Sequence, residues 1–262
     1  MLKTLLKKLI KNTLKRLDIG VTRYGQLEIL NKNNSAIRDL DILQKLNNEK
    51  SEELLRCFKE SKSQLRQDLF ALSHVGFKKD GYFVEFGAAS GVDLSNTYLM
   101  EKVFGWKGIL AEPAICWHDN LRINRNCHIE TDCVWKDSNS TLTFIEADVA
   151  ELSTVSLFKD NDSHSSARKK GKSYEVKTVS LNDLLKKYHA PKNIDYLSID
   201  TEGSEYQILS HFDFSQYCFG VITCEHNYMP QRDKLHLLLT RNGYKRVFAE
   251  LSLFDDWFIK SS

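Results

Sequence analysis

Features typical of several protein classes are missing from this chain of 262 residues. No apolar run reaches membrane-spanning length, which is about 20 residues. None of the cysteines forms a C-x-x-C pair, and this disfavours a zinc knuckle or a thioredoxin-like redox site. Several cysteines fall inside apolar runs, where a reduced, buried thiol is the usual state, so we expect a reducing, cytoplasmic location. The six cysteines are Cys57, Cys116, Cys127, Cys133, Cys218 and Cys224.

A large net charge is also missing. The formal charge is only +2, but it is unevenly distributed, because residues 1–17 hold six Lys or Arg and no acid. The rest of the chain contains 31 bases against 35 acids. A mildly acidic body argues against general binding to nucleic acid.

The basic segment 1–17 has leucines at helical spacing with lysines between them, which predicts a basic amphipathic helix. It lacks the continuous apolar core of a signal peptide. Two interpretations stay open: a peripheral anchor on an anionic membrane surface, or a helix that packs on the domain or on a partner chain. We assign residues 1–50 to this helix and a polar linker, and residues 51–262 to the main domain.

Strands and helices alternate along the main domain, a pattern that predicts a mainly parallel sheet with helices on both faces. The last two strands have only a short connection, so we expect them to form an antiparallel hairpin. The predicted strands are 82–86, 108–112, 129–135, 141–146, 174–179, 194–199, 219–225, 244–249 and 254–260. The predicted helices are 51–74, 92–104, 114–125, 180–189, 203–211 and 230–242.

The most informative segment is Y-F-V-E-F-G-A-A-S-G at residues 82–91. An apolar strand runs into a turn of small residues that lets a ligand approach the backbone closely. A second apolar run ends at Glu112, 25 residues after Gly87, where a carboxylate can accept both hydroxyls of a ribose. A glycine-rich turn plus a ribose acid fits NAD or S-adenosylmethionine. The G-x-x-x-G spacing differs from the G-x-G-x-x-G of dinucleotide enzymes and favours S-adenosylmethionine.

Further polar residues follow the next two strands of the predicted sheet. Asp200 and Glu202 come directly after one strand, and Glu225 and His226 end the next. Ligands of open parallel sheets bind beyond the carboxyl ends of the strands. We therefore expect these four side chains to face the same groove as the turn at Gly87.

Taken together, these motifs resemble the FkbM family of methyltransferases over residues 63–260. The motifs that carry the resemblance are S-Q-x-x-Q-D (Ser63–Asp68), V-E-F-G-A-A-S-G (84–91), S-N-T-Y-x-x-E-K (Ser95–Lys102), G-W-x-G-x-L-x-E-P (Gly105–Pro113), N-R (124–125), D-Y-L-S-I-D-T-E-G-S-E (Asp195–Glu205), E-H-N (Glu225–Asn227) and D-D-W-F (Asp255–Phe258). The resemblance implies an α/β, Rossmann-like class I methyltransferase fold with a seven-stranded sheet and an antiparallel C-terminal hairpin. Family members mostly methylate hydroxyl oxygens of polyketides and sugars, although some relatives act in protein trafficking.

The resemblance also assigns the cofactor S-adenosylmethionine. The turn around Gly87 would hold its methionine end, Glu112 its ribose, and the tip at Asp132 and Cys133 its adenine, by analogy with the class. The full predicted set of cofactor-binding residues is Glu85, Gly87, Ala88, Ala89, Gly91, Asn96, Glu112, Pro113, Asp132, Cys133 and Asp200.

For catalysis we predict His226, Asp200 and Glu202. A sugar hydroxyl needs a base to accept its proton, and the unperturbed pKa of His lies nearest neutrality; His226 is the first choice and Asp200 the second. The same residues with Glu225 could bind Mg²⁺, but we favour a reaction without metal. We thus expect O-methylation of a sugar or glycan hydroxyl by a cytoplasmic enzyme, with membrane association through residues 1–17 as the open alternative. The alternatives are a non-catalytic module for membrane or protein trafficking and an NAD-dependent enzyme.

Overall fold

The computed structural model describes residues 36–46, 51–147, 149–158 and 171–261. The chain forms two units, residues 1–45 and residues 46–262. In the first unit the described residues, from 36 onward, are helical. The basic helix predicted over residues 1–17 lies outside the described residues. Within the described ranges, no helix is both long and apolar enough to cross a membrane.

The second unit alternates strands and helices. Its described strands are β1 (Tyr82–Phe86), β2 (Lys107–Ala111), β3 (His128–Glu130), β4 (Cys133–Trp135), β5 (Thr141–Glu146), β6 (Thr154–Val155), β7 (Lys172–Ser180), β8 (Asn193–Ile199), β9 (Cys218–Glu225), β10 (Tyr244–Val247) and β11 (Asp255–Lys260). Its described α-helices are α1 (Ser51–Phe58), α2 (Gln67–His74), α3 (Tyr98–Phe104), α4 (His118–Asn124), α5 (Leu181–Lys187), α6 (Glu205–Ser210) and α7 (Arg232–Arg241).

Seven strands form the main sheet, in the order β10-β11-β9-β8-β1-β2-β3. The five strands β9, β8, β1, β2 and β3 run parallel to one another. Strand β11 runs antiparallel to both β9 and β10. The prediction of a mainly parallel seven-stranded sheet that ends in an antiparallel hairpin is confirmed. In such a sheet the carboxyl ends of β1, β2, β8 and β9 meet at one edge.

Both faces of the main sheet are covered by helices. On one face, Val84 of β1 and Phe258 of β11 share a buried cluster with Leu184 of α5. Trp257 points to the other face, because successive side chains of a strand alternate. There it stacks on Phe70 of α2, with ring centroids 4.7 Å apart. Burial on both faces explains why β1 is almost entirely apolar.

A second sheet, with the order β4-β7-β5-β6, was not predicted. The single strand predicted over 129–135 is wrong, because β3 joins β2 in the main sheet whereas β4 pairs with β7. The side chain of Glu130 turns the chain between them, since its Oε1 accepts hydrogen bonds from the N–H groups of Thr131 and Asp132 at 3.0 and 3.1 Å. An apolar run does not reveal which of two sheets each half will join.

Two predicted helices are shorter than expected. The predicted helix 51–74 is in fact two helices, α1 and α2. Arg66, the residue just before α2, has a left-handed backbone conformation with φ 66°. The predicted helix 92–104 begins only at Tyr98. Residues 95–97 are instead held by the buried carboxylate of Glu85 on β1, a contact that local sequence patterns do not show.

Candidate active site

A cavity lies at the carboxyl ends of β1, β2 and β8, where the sequence predicts the ligand site. It contains about 950 Å³ of space free of protein atoms, open solvent at its mouth included. Much of the predicted set lines it: Glu85, Gly87, Ala89, Asn96, Glu112, Pro113, Cys133, Asp200 and Glu202.

Gly87 brings the end of β1 into contact with the end of β8. Its φ is +74°, and a Cβ placed there would lie 1.9 Å from the backbone oxygen of Asp200. The N–H of Gly87 donates to the carbonyl of Ala111 at 3.1 Å. Only a residue without a side chain fits this position, because the clash would be with backbone rather than with a movable side chain. The glycine therefore sets the width of the cavity floor between the two strands.

Glu112 stands at the tip of β2 and faces the same turn. One carboxylate oxygen accepts the N–H of Ala89 and the other accepts the N–H of Ala114, both at 2.9 Å. A carboxylate oxygen has room for a second donor, so each can also accept a ligand hydroxyl. Burial raises the pKa of Glu112 to about 7, opposed by these two hydrogen bonds. The geometry thus suits the recognition of a diol.

Glu85 lines the cavity, but its carboxylate is already bound by the protein. It accepts hydrogen bonds from Ser95 Oγ at 3.0 Å, from Asn96 N at 2.7 Å and from Thr97 Oγ1. The guanidinium of Arg125 lies 3.9 Å away. Burial raises the pKa of Glu85, while Arg125 acts in the opposite direction. Glu85 therefore shapes the cavity wall by fixing residues 95–97.

Three residues predicted to bind the cofactor lie outside the wall of this cavity: Ala88, Gly91 and Asp132. Gly91 has a structural role. Its φ is +74°, and a Cβ there would lie 2.8 Å from side-chain atoms of Arg125 and Leu121. The glycine lets α4 pack closely on the turn and does not face the cavity.

The acidic strand ends do come together. Carboxylate oxygens of Asp200, Glu202 and Glu225 all lie within 4.8 Å of one another. Burial raises the pKa of Asp200 to about 6. Burial and the neighbouring Asp200 and Glu202 raise the pKa of Glu225 well above its usual value. Asp200 and Glu202 line the main cavity, whereas Glu225 lines a smaller adjoining pocket that Glu202 also borders.

His226 does not reach the main cavity. It lines the smaller pocket, and both ring nitrogens are engaged by the protein. Nδ1 accepts the N–H of Tyr228 at 2.9 Å, so Nε2 carries the proton and donates it to the carbonyl of Asp255 at 3.1 Å. Burial lowers the pKa of His226. With its only acceptor nitrogen occupied, the ring is not placed to take a proton from a ligand in the cavity.

Sequence reasoning missed two parts of the wall. The first is the segment Ser63–Asp68, from which Gln64 and Gln67 line the cavity; Gln67 Nε2 donates to Asp255 Oδ2 at 2.8 Å. The motif S-Q-x-x-Q-D, which we used only for the family resemblance, is the signal that could have identified this segment. The second is an apolar wall from the unpredicted sheet, formed by Val134, Phe144 and Val155. The predicted adenine contact at Cys133 links β4 to the site, but no sequence signal links β5 and β6 to it.

Comparison with known proteins gives one family. The family model described as "Methyltransferase FkbM domain" matches residues 85–246. A solved precorrin-6y C5,15-methyltransferase from Geobacter metallireducens GS-15 is 14% identical, with a TM-score of 0.39, over 74% of this chain and 87% of that chain. A structure titled as a mutant of MtNAS is 12% identical, with a TM-score of 0.36, over 86% of this chain and 70% of that chain. No match was found among curated proteins.

Proposed function

The chain belongs to the FkbM methyltransferase family, and from this premise we propose that it transfers a methyl group from S-adenosylmethionine to a hydroxyl oxygen of a sugar or glycan. The observation that carries the proposal is the position of Glu112. A buried carboxylate, fixed by two backbone N–H groups, faces the glycine turn across one cavity.

The residues around the cavity fit the cofactor. Glu112 can accept the two ribose hydroxyls, and the apolar wall with Val134 and Phe144 suits the adenine ring. Gly87 lines the cavity, so the backbone of its turn is within reach of the methionine end. When bound, the cofactor supplies a methyl group on a positively charged sulfur. The chain supplies the position of the acceptor oxygen, on which the rate of an in-line displacement depends strongly.

The acceptor hydroxyl must lose its proton as the new carbon–oxygen bond forms. Among the carboxylates that line the cavity, our candidates for the proton acceptor are those of Asp200 and Glu202. His226, our first choice for the base, is not part of the proposal because its acceptor nitrogen is occupied by the N–H of Tyr228. A positioned base typically contributes ~10²–10⁴-fold to the rate.

The charge of the wall supports an uncharged acceptor. Apart from the thiol of Cys133, the ionisable side chains among the described lining residues are all carboxylic acids: Glu85, Asp93, Glu112, Glu151, Asp200 and Glu202. Such a wall repels phosphate and carboxylate groups. A neutral polyol fits this field better than a phosphorylated sugar does.

Titration calorimetry with S-adenosylhomocysteine tests the cofactor assignment. The Glu112→Ala variant loses charged hydrogen bonds to ribose, each of which contributes roughly 1.5–3 kcal/mol, so we expect binding to weaken by at least about tenfold. Glu151→Ala is the matched control, because Glu151 is an exposed acid of the same cavity, and its affinity should match the wild type. Equal affinity in wild type and Glu112→Ala would refute the ribose assignment.

Methyl transfer itself is tested with methyl-labelled S-adenosylmethionine and a panel of neutral sugars. We expect the label on a sugar oxygen, located by NMR of the product. Label on a nitrogen of an amino sugar would contradict the oxygen acceptor and identify nitrogen as the methylated atom. A wild-type protein that binds neither S-adenosylhomocysteine nor S-adenosylmethionine would instead favour the non-catalytic trafficking module.

A further inference from the structure

The smaller pocket lies beside the main cavity, where β8 and β9 end. It contains about 430 Å³ of space free of protein atoms, open solvent included, within the range of roughly 300–1,000 Å³ that small-molecule sites occupy. Glu202 lines both the main cavity and the smaller pocket, so its side chain stands at the border between them. A molecule seated in the smaller pocket would therefore meet the main cavity at the Glu202 carboxylate.

Gln231, the residue just before α7, leaves a hydrogen-bond acceptor unused in the wall of the smaller pocket. Its side-chain oxygen Oε1 is buried and has no hydrogen-bond partner among the described residues. Buried polar atoms of proteins nearly always have a partner, and a buried acceptor that is left unpaired is costly. The oxygen therefore needs an O–H or N–H donor that enters the pocket.

The turn after β9 fixes Glu202 at the border. Asn227 Nδ2 donates to Glu202 Oε2 at 3.3 Å. Asn227 and Tyr228 both have left-handed backbone conformations, with φ 42° and 57°, which are uncommon for residues other than glycine. His226 Nδ1 stabilises this turn by accepting the N–H of Tyr228 at 2.9 Å. The E-H-N motif thus builds the wall of the smaller pocket.

The charged groups of this wall favour a ligand that donates hydrogen bonds. The guanidinium of Arg232 binds both oxygens of Asp256 at 2.9 and 2.7 Å, so it is not available to an anion. Glu225, at the end of β9, adds a second carboxylate to that of Glu202, and Met229 adds apolar surface. Acceptors beside apolar surface suit the hydroxyls and C–H groups of a neutral sugar, whereas the carboxylates repel phosphate.

We propose that the smaller pocket is the acceptor subsite, which receives a hydroxyl-bearing edge of a neutral sugar. One hydroxyl donates to Gln231 Oε1, and a neighbouring hydroxyl lies at Glu202, on the border of the cavity that fits the cofactor. Gln231 is then a specificity-determining residue, because its oxygen selects sugars with a hydroxyl at that position. Methylation of the second hydroxyl rests on the proposed function, whereas binding of the sugar does not.

NMR titration of the full-length protein with methyl glycosides of glucose, galactose, mannose and rhamnose tests the subsite, with and without S-adenosylhomocysteine. We expect at least one glycoside to bind the wild type. Gln231→Met should weaken this binding roughly two- to tenfold, the loss of one neutral hydrogen bond. Gln231→Glu keeps an oxygen acceptor and should bind the glycoside more tightly than Gln231→Met does. Gln216→Met is the matched control, because Gln216 is exposed before the other end of β9, and it should match the wild type.

Thermal unfolding of the same variants excludes an effect on the fold. The Gln231 side chain does not cap α7 by a hydrogen bond, so Gln231→Met should keep the wild-type melting temperature. A clearly lower melting temperature would assign the loss of binding to the fold and overturn the role of Gln231 in the subsite.

Calorimetry with S-adenosylhomocysteine separates the subsite from the proposed function. Equal glycoside affinity in wild type and Gln231→Met would overturn the subsite, because the oxygen would then be met by water only. Binding of S-adenosylhomocysteine without binding of any glycoside would also overturn the subsite and leave cofactor use standing. Glycoside binding that depends on Gln231, in a protein that does not bind S-adenosylhomocysteine, would support the subsite and contradict the proposed function.

Discussion

The contact between Gly87 and Asp200 makes a sharp prediction for the Gly87→Ala variant. A methyl group there would lie 1.9 Å from the backbone oxygen of Asp200 and 3.0 Å from its carbonyl carbon. Neither strand end can move freely, because β1 and β8 are paired along their length. The substitution must therefore separate the two strand ends that form the cavity floor.

Two costs add in this variant. A side chain in the left-handed region costs roughly 1–2 kcal/mol, and overpacking against a fixed neighbour typically costs about 1–3 kcal/mol. Gly105→Ala isolates the first cost. Its φ is +69°, close to that of Gly87, and its Cβ would meet only Asp80 Oδ1 at 3.3 Å. We expect Gly87→Ala to lower the free energy of unfolding by about 1–3 kcal/mol more than Gly105→Ala does.

Chemical denaturation measures the two unfolding free energies, and calorimetry with S-adenosylhomocysteine measures the site. Gly87→Ala should weaken the binding of S-adenosylhomocysteine tenfold or more, which corresponds to a loss of at least ~1.4 kcal/mol of binding free energy. Gly105→Ala should bind S-adenosylhomocysteine as the wild type does. If the two variants lose equal stability and both bind S-adenosylhomocysteine as the wild type does, the close approach at Gly87 has no role in the site.

Three further predictions concern residues on and around the cavity wall. His226→Ala should lower thermal stability yet leave the pH profile of kcat unchanged, because both ring nitrogens of His226 are bound to the backbone of Tyr228 and Asp255. If the variant loses one limb of the wild-type pH profile, His226 is the catalytic base after all. Burial raises the pKa of Asp68 to about 6, so its contribution to the free energy of unfolding, present below its unfolded pKa of about 4, should fall by about 2 kcal/mol as the pH rises to about 6. In Asp68→Asn, followed by denaturation at several pH values, the fall should be smaller than in the wild type by this contribution, because Glu112 and Asp200 also have raised pKa values. Phosphorylated sugars should be methylated more slowly than their neutral counterparts in a competition assay, and equal rates would contradict the acidic wall.

The sequence predicts those parts of the site that depend on strand ends. Gly87, Glu112 and Asp200 each follow or end an apolar run, and in a parallel sheet those ends must meet. The structure brings all three to one cavity. The mainly parallel sheet follows from the alternation of strands and helices, and its seven strands are what the resemblance to the FkbM family implies.

The remaining parts depend on contacts between distant residues. The direction of the His226 ring is decided by the carbonyl of Asp255, 29 positions away. The late start of α3 depends on Glu85, which lies on β1. The split of the 129–135 run into two sheets depends on β7, which pairs with β4. Such choices are set by tertiary packing, and local periodicity carries no information about them.

A crystal structure with S-adenosylhomocysteine tests the central claim most directly. The account predicts the ribose hydroxyls within hydrogen-bond distance of the Glu112 carboxylate, with the methionine end against the turn at Gly87. Density for the ligand at another face of the sheet, or a ribose that leaves Glu112 without contact, would contradict it.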